Sequence, residues 1–569
     1  WRHVAATVSG PVLTIFLDGE PVAKRTLERE PEIDDAGSPL GIGGVERRYG
    51  LRGLVGEARV YRRALDPAEV KQHVRDTRAT YVSTEWRRPE AETGRTAGTG
   101  LLDSGALRVY TKGSANALIQ DCEIHTVGPG IEISPNIFDG DRRDPANPEP
   151  MEPSTDDILV RRCTVRGYYG GEPDGLSNSG SSGRTVGVMV HNGKRLIVHD
   201  CDFASADRYR RKILTRTMLS LNTANRFLYF GNNRSRDVGS HPSAIGMNTN
   251  QGEQYLIHYR YAPGGLFPVM QSGAASVTID TERLSVHQDD PAYRESWFKT
   301  NPTGSRVAAE VGQNRHWTVF VSRGRGAGQL REVASRTDAE GRVTLELERP
   351  WRIEPDETSR VHLVPVHRNM IFYGNHVDGG QPVLTHKSHG VTFWYWTFDT
   401  VVADNTFETL TAGVVYNSRY DGPVGWNLVR GNTIRNMWGM TGDTSEREAL
   451  YVDHYRWHGK WARPEDRVWV SVGNICRDNR GHDSGVAAFL HIRGRPGAET
   501  VPPGPGTDWG IVLSVIENNR FTDVEQGIVI SAPTNFCLLR NNHIETVDGP
   551  GTDIVDQGRG TPDVTVIRP

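Results

Sequence analysis

Two neighbouring stretches decide the fold: VVADNTFETL at residues 401–410 and LVRGNTIRNM at residues 428–437. Each runs apolar pair, two polar residues, Asn, a polar residue and then an apolar one. The pattern is too short for a helix and alternates too quickly, so each is read as two short strands meeting at a corner. It recurs as LIQDCEIHTV, LVRRCTVRGY, IVHDCDFASA, LYFGNNRSRD, IFYGNHVDGG, VSVGNICRDN, SVIENNRFTD and LLRNNHIETV. The shared position is Cys122, Cys163, Cys201, Asn232, Asn375, Asn405, Asn432, Asn474, Asn519 and Asn542. Units of a few tens of residues that cannot close a core alone signal a solenoid, and with strands rather than helices the solenoid is a parallel β-helix.

The column has a physical reason. Successive coils stack at about 4.8 Å, so a buried Asn at a corner meets the same position of the next coil and satisfies its polar groups there. Cys fits as a small, buriable residue. This places three of the five cysteines without redox chemistry; none shows CxxC spacing, so neither a disulfide framework nor a zinc cluster is expected.

Between Asn232 and Asn375 the spacing is several times longer than elsewhere. The segment there alternates like antiparallel strands, with DAEG as a hairpin turn. A small β module is therefore expected at residues 303–366, inserted in a solenoid covering 101–569. Residues 79–100 are polar and aperiodic and read as a linker.

Residues 1–78 form another unit. WRHVAATV and VLTIFLDGEPVA read as strands, and DPAEVKQHV as a short helix capped by Asp66 with Pro67 at its first position. The order W-x-H-V-A-x-T, L-D-G, G-x-x-G-E-x-R-V-Y-x-R-A-L resembles the C-terminal half of a laminin-G-like, concanavalin A-like jelly roll. The resemblance implies a β-sandwich of which only the second half is present here, either because the chain is a fragment or because the module is trimmed.

The chain of 569 residues carries a net charge of -4, which argues against a general nucleic-acid binder. The island DRYRRKILTR at residues 207–216 is read as a solvated face. No apolar run is long enough for a membrane helix. The overall expectation is an all-β, secreted or cell-surface bacterial protein, a monomer, with no nucleic-acid or membrane partner.

Function is sought on the strands after each corner: GIEIS, GVMVHNGK, AIGMNTNQ, PVLTHKSH, GVVYNSRY, ALYVDHYR, AAFLHIRG and GIVISAPT. In a period-2 strand the second and fourth residues point inward and the fifth outward. Inward positions are apolar, with Thr385 the main exception. The fifth positions are Ser134, His191, Asn248, His386, Asn417, Asp453, His491 and Ser531, polar or ionisable through the middle, as a furrow for a polymer would be. Around that row, Asn250, Glu253, His389, Asp421, Arg456 and Arg493 are taken as further sugar contacts.

The stretches THKSHG…ADNTF and YNSRYDG…VRGN resemble right-handed parallel β-helix polysaccharide lyases of the chondroitinase B and alginate lyase type. That resemblance implies Lys387 as base and Arg419 as acid or charge neutraliser, acting on an anionic, uronic-acid-containing polysaccharide. Neutralising the sugar carboxylate stabilises the enolate-like transition state, and a Lys among cations can lose its proton and take the one at C5. Asn248, Asn417 and His386 are candidates to hold the carboxylate; His454 or Tyr416 would serve as acid, although Tyr416 has inward parity. Calcium is the one cofactor the family would suggest, but GGQPVLTH offers no carboxylate before the Lys-Ser, and no metal ligand is assigned. Zinc held by His386 and His389 is disfavoured because i, i+3 on a strand puts them on opposite faces. A glycoside hydrolase using Asp421, Asp453 or Glu253 ranks second, and a non-catalytic adhesin third.

Overall fold

A computed structural model describes residues 4–28, 64–82, 107–110, 116–126, 129–134, 155–167, 186–191, 193–205, 217–222, 225–236, 245–248, 266–280, 317–339, 341–379, 389–394, 396–410, 412–417, 423–437, 448–455, 469–493, 510–531, 534–547, 554–556 and 564–567. The solenoid is a parallel β-helix of three strand ladders. The first ladder stacks Ala117–Gln120, Thr155–Arg161, Gly193–His199, Arg226–Gly231, His367–Tyr373, Thr397–Ala403 and their successors to Val564–Ile567. After the Asn/Cys corner comes the second, which includes Asp202–Ser205, Arg234–Arg236, His376–Asp378, Thr406–Glu408 and Thr433–Arg435. The third includes Pro129–Ser134, Val186–His191, Thr217–Asn222, Ile245–Asn248, His389–Trp394, Ala412–Asn417 and Glu448–Tyr455. Farther along, the strands Arg480–Arg493 and Arg520–Ser531 run through the second and third ladders without a break.

The corner column is real, with two members displaced. The hydrogen-bonded series is Cys163, Cys201, Asn233, Asn375, Asn405, Asn432, Asn479, Asn519 and Asn542. Each Asn Oδ1 accepts the backbone N–H of the preceding member. Each Asn from Asn233 to Asn542 also donates its amide to a carbonyl one coil back, as Asn405 does to Phe372 at 3.1 Å. Asn232 and Asn474 therefore do not belong to it. Asn232 is instead the left-handed residue (φ 54°) immediately before the column, a place filled elsewhere by Asp121, Arg162, Asp200, Gly374, Asp404, Gly431, Asp478, Asn518 and Asn541. Asp, Asn and Gly tolerate positive φ, which is why most of these corners read D-N, G-N or N-N. Asn474 sits in a second buried column at the other end of the first ladder, where Asn427 donates to its Oδ1 at 3.1 Å.

Inside, each coil contributes inward aliphatic and aromatic side chains that stack on those of its neighbours. Phe203, Phe230 and Phe372 follow one another with ring centroids 6.3 and 6.1 Å apart. All five cysteines are free.

The inserted module is a closed six-stranded antiparallel barrel of Leu266–Gly273, Ser276–Asp280, Trp317–Arg323, Leu330–Ala339, Arg342–Leu347 and Arg360–Pro365. Its first two strands precede residue 303, so the expected 303–366 captures only the later part. LFPVMQSG and SVTID carry no long alternation and were hidden among irregular sequence. Glu332 of the barrel accepts from Arg226 and Arg368 of the first ladder at 2.9 and 2.8 Å. Phe320, Trp396, Phe398 and Val472 form a shared apolar cluster there.

At the N-terminal end, Val4–Ser9, Val12–Leu17 and Glu20–Thr26 form an antiparallel sheet. The helix Pro67–Val82 begins as expected: Asp66 Oδ1 accepts from the Glu69 N–H at 2.8 Å, and Glu69 reciprocates on the Asp66 N–H at 2.9 Å. It continues past residue 79, into sequence read as linker.

Candidate functional site

The third ladder's register aligns most of the proposed row. His191 pairs with Asn222, Asn222 with Asn248, Trp394 with Asn417, Asn417 with Asp453, Asp453 with His491, and His491 with Ser531. Two corrections follow. The coil expected to contribute PVLTHKSH contributes His389–Trp394 instead, and Trp394 stands where His386 was expected. The inward positions of that strand then become Val391 and Phe393, both fully buried, and the exception of Thr385 disappears. A coil was also missed: TMLSLN supplies Asn222 between His191 and Asn248. Its three polar residues concealed the strand.

His386, Lys387, Arg419, Asn250, Glu253, Asp421 and Arg456 lie outside the described residues. Lys387 precedes its strand by two residues, whereas Arg419 follows the strand Ala412–Asn417 by two. Among the other candidates, Asn248, Asn417, Asp453, His454, His491 and Arg493 occupy strand positions; His454 pairs with Ile492 and Tyr455 with Arg493. His389 is half-buried, its Nδ1 3.0 Å from the Thr392 hydroxyl. Tyr416 does point inward: it stacks on Phe393 at 4.9 Å and its hydroxyl lies 3.8 Å from Cys476 Sγ.

Two residues before the row, Glu132, Thr392, Val415 and Val529 alternate outward yet are buried, whereas Met189 is half-buried. Two glycines let the second and third ladders approach closely. A Cβ on Gly187 would lie 2.4 Å from Phe203, and one on Gly390 would lie 2.4 Å from Phe407.

A second polar concentration, not anticipated, runs along the second ladder. The third residue after each column Asn aligns across coils: Asp378 with Glu408, Glu408 with Arg435, Arg435 with His482. Glu408 carries His376 at 2.5 Å on Oε1 and Arg435 at 2.5 Å on Oε2. Burial pushes its carboxyl up, but the hydrogen bonds from His376 and Arg435 outweigh that and hold it below the ordinary glutamate value. N-H-V-D, N-T-F-E and N-T-I-R, read three residues past each Asn, contain this signal once the corner register is known. Among the described residues no group of three or more His, Cys, Asp or Glu side chains is arranged to hold a metal ion. The sequence before Lys387, GGQPVLTH, offers no carboxylate for calcium.

Comparison with known proteins adds the following. Residues 1–71 match the family described as the concanavalin A-like lectin/glucanases superfamily. No curated protein matches the chain. Among solved structures, a tailspike protein mutant of E. coli bacteriophage HK620 superposes with a TM-score of 0.35 at 10% identity, covering 81% of this chain and 53% of its own. Another, in complex with pentasaccharide, gives 0.34 at 10%, covering 82% and 56%. The lacto-N-biosidase of glycoside hydrolase family 136 from Eubacterium ramulus gives 0.31 at 8%, covering 81% and 63%. The chain thus spans little more than half the length of the tailspike structures. No helix among the described residues is long and apolar enough to cross a membrane.

Proposed function

We propose that this chain is an extracellular carbohydrate-active enzyme that lays an acidic polysaccharide along the third-ladder row and cleaves it by β-elimination. The observation that carries the reading is the unbroken register Asn417–Asp453–His491, with Trp394 one rung before it. Rungs about 4.8 Å apart are close to the length of one sugar ring. Trp, Asn, Asp and His on successive rungs are residue types suited to stacking on a pyranose and handling a proton.

In this reading the Asn417 amide, aided by Arg419 two residues on, neutralises the uronate carboxylate. His491, one rung from Asp453, takes the C5 proton. The electron pair moves to the C4–C5 bond and the C4 oxygen leaves with its share of the chain, forming an unsaturated sugar. The family resemblance gives the base role to Lys387 instead, and separate substitutions distinguish the two. The test is a screen of uronic-acid polymers read by ultraviolet absorbance and product mass, with His491→Ala and Lys387→Ala compared. Absorbing products from the intact chain, lost on one of these changes, uphold the reading. Saturated products, heavier by one water for each bond cleaved, transfer it to hydrolysis.

Hydrolysis has one observation in its favour. Asp378 and Glu408 are outward-alternating carboxylates on adjacent rungs, and a pair of carboxylates is what a glycosidase requires. It ranks second because both Glu408 oxygens are already engaged by His376 and Arg435.

A further inference from the structure

The inserted barrel carries a group of cations that no step of the proposed reaction uses. They gather where the strand Leu330–Ala339 begins, beside the strap 349–353 that follows the strand Arg342–Leu347. The Arg331 guanidinium lies against that strap. Its Nε donates to the Pro350 carbonyl at 2.8 Å, and its Cζ sits 5.4 Å from the centre of the Trp351 ring. One terminal nitrogen donates to the Leu330 carbonyl at 2.8 Å and the other to Gln329 Oε1 at 3.3 Å. Gln329 fixes the strap in turn. Its Oε1 accepts the Arg352 and Ile353 N–H groups at 2.9 and 3.3 Å, and its Nε2 donates to the Ile353 carbonyl at 2.7 Å. The neighbouring Gly328 carbonyl accepts from Trp426 Nε1 at 3.1 Å, which ties this end of the barrel to the solenoid.

Arg331 is thus a half-buried cation, with the exposed Arg349 and Arg352 on either side of the backbone it binds. Among the described residues none of the three forms an ion pair with a carboxylate; Glu332, next in the chain, gives its oxygens to Arg226 and Arg368 instead. Burial lowers the Arg331 pKa, and the Arg352 and Arg349 charges lower it further. Three of its N–H donors are used, and the remaining two of a guanidinium's five have no partner among the described residues. The half-buried Arg368 and Arg435, by contrast, lean on Glu332 and Glu408. A partly desolvated guanidinium held rigid without a counter-charge is unfavourable by itself. An anion relieves it, and the donors lose little freedom on binding because they are already placed.

We propose that Arg331, Arg349 and Arg352 form an anion-binding site that takes a carboxylate or sulfate group of an acidic polysaccharide, making the barrel a glycan contact apart from the third-ladder row. The choice of ligand rests on the acidic-glycan reading above. The planar fork of an arginine matches two oxygens of either group. Nucleic acid fits less well, since the chain carries a net charge of -4. Docking through Glu332 on Arg226 and Arg368 keeps a captured polymer on the solenoid that carries the row.

The test is affinity electrophoresis of the full chain through gels holding polygalacturonate, dextran sulfate, uncharged dextran or duplex DNA. Retardation by at least one of the two anionic glycans, absent with dextran and weakened by salt, is expected. Arg349→Glu with Arg352→Glu should weaken it at least about 10-fold while circular dichroism stays unchanged, as loss of charge-assisted hydrogen bonds does. Should that pair disturb folding, Arg349→Gln with Arg352→Gln reads the same loss more gently. Arg234→Glu with Arg342→Glu, both exposed and away from the strap, makes the same change of net charge and should leave retardation intact. Retardation by polygalacturonate alone assigns the site to carboxylates and by dextran sulfate alone to sulfate esters, and either upholds it. No retardation by either glycan, retardation unchanged in both strap pairs, equal loss in the control pair, or tighter binding of DNA would each overturn the proposal. Binding is read apart from cleavage, so a chain that binds yet cuts nothing upholds this site and contradicts the lyase reading alone.

Discussion

Asn375 donates both its backbone N–H and its side-chain amide to Oδ1 of Asn405, each at 2.9 Å. Asn405 repeats this toward Asn432, and both residues are almost wholly inaccessible to solvent. One side chain thus joins three coils. Replacing Asn405 by Ala takes the acceptor from the Asn375 N–H and amide and a donor from the Phe372 carbonyl, while Asn432 Oδ1 keeps the backbone N–H of residue 405. The expected cost is about 3–5 kcal/mol, since each stranded buried group costs roughly 1–3. Chemical denaturation of Asn405→Ala checks it; a loss below 1 kcal/mol would mean the column does not hold the coils together.

Gly390 offers a steric test of the approach between ladders. Its Cβ would meet the Phe407 ring at 2.4 Å and the Gly413 carbonyl at 2.5 Å. Backbone cannot yield as a flexible side-chain tip does, so Gly390→Ala should destabilise by about 1–3 kcal/mol as an overpacked site. Gly10→Ala, where nothing lies within 4 Å, should show only the strain of its positive φ.

Glu408 sets the acid limb of stability. Its folded value lies below the ordinary 4.5, so its contribution is present above that value and is lost as pH falls below it, when the carboxylate gains a proton and releases His376 and Arg435. Urea midpoints followed from neutral pH into the acid range should fall less steeply in Glu408→Gln than in the intact protein. Parallel curves would show that the three-residue ion pair contributes nothing.

Cys476 is predicted to be inert. Burial lifts its thiol to about 12, and it lies under the Tyr416 hydroxyl. A thiol reagent at mildly alkaline pH should label it only on unfolding, with a rate that follows global opening. Rapid native-state labelling would contradict the closed core.

The solenoid was legible because the corner imposes chemistry on sequence: a left-handed residue, then a buried Asn or Cys, then an inward apolar residue. The one-residue slip at Asn232 arose because Asn suits both the left-handed place and the column. Asn474 misled for a related reason, since V-G-N and R-D-N mark two different buried columns five residues apart. The row was legible even after long loops, as at Val186–His191 and Glu448–Tyr455. It failed at His386 because PVLTHKSH also offers apolar residues before a polar fifth position, and alternation alone does not choose between it and His389–Trp394. Glu408 and its partners were missed because each charge looks solvated until register places it one rung from the next.

We propose that the third-ladder row cleaves an acidic glycan. The most direct measurement is product analysis after incubating the intact chain, Asp453→Asn and His491→Ala with a panel of uronic-acid polymers. The claim predicts unsaturated oligosaccharides from at least one polymer, with turnover falling at least about 100-fold in each variant, as removal of a general base or its positioning partner does. Equal turnover in all three proteins, or no cleavage of any polymer by the intact chain, would contradict it.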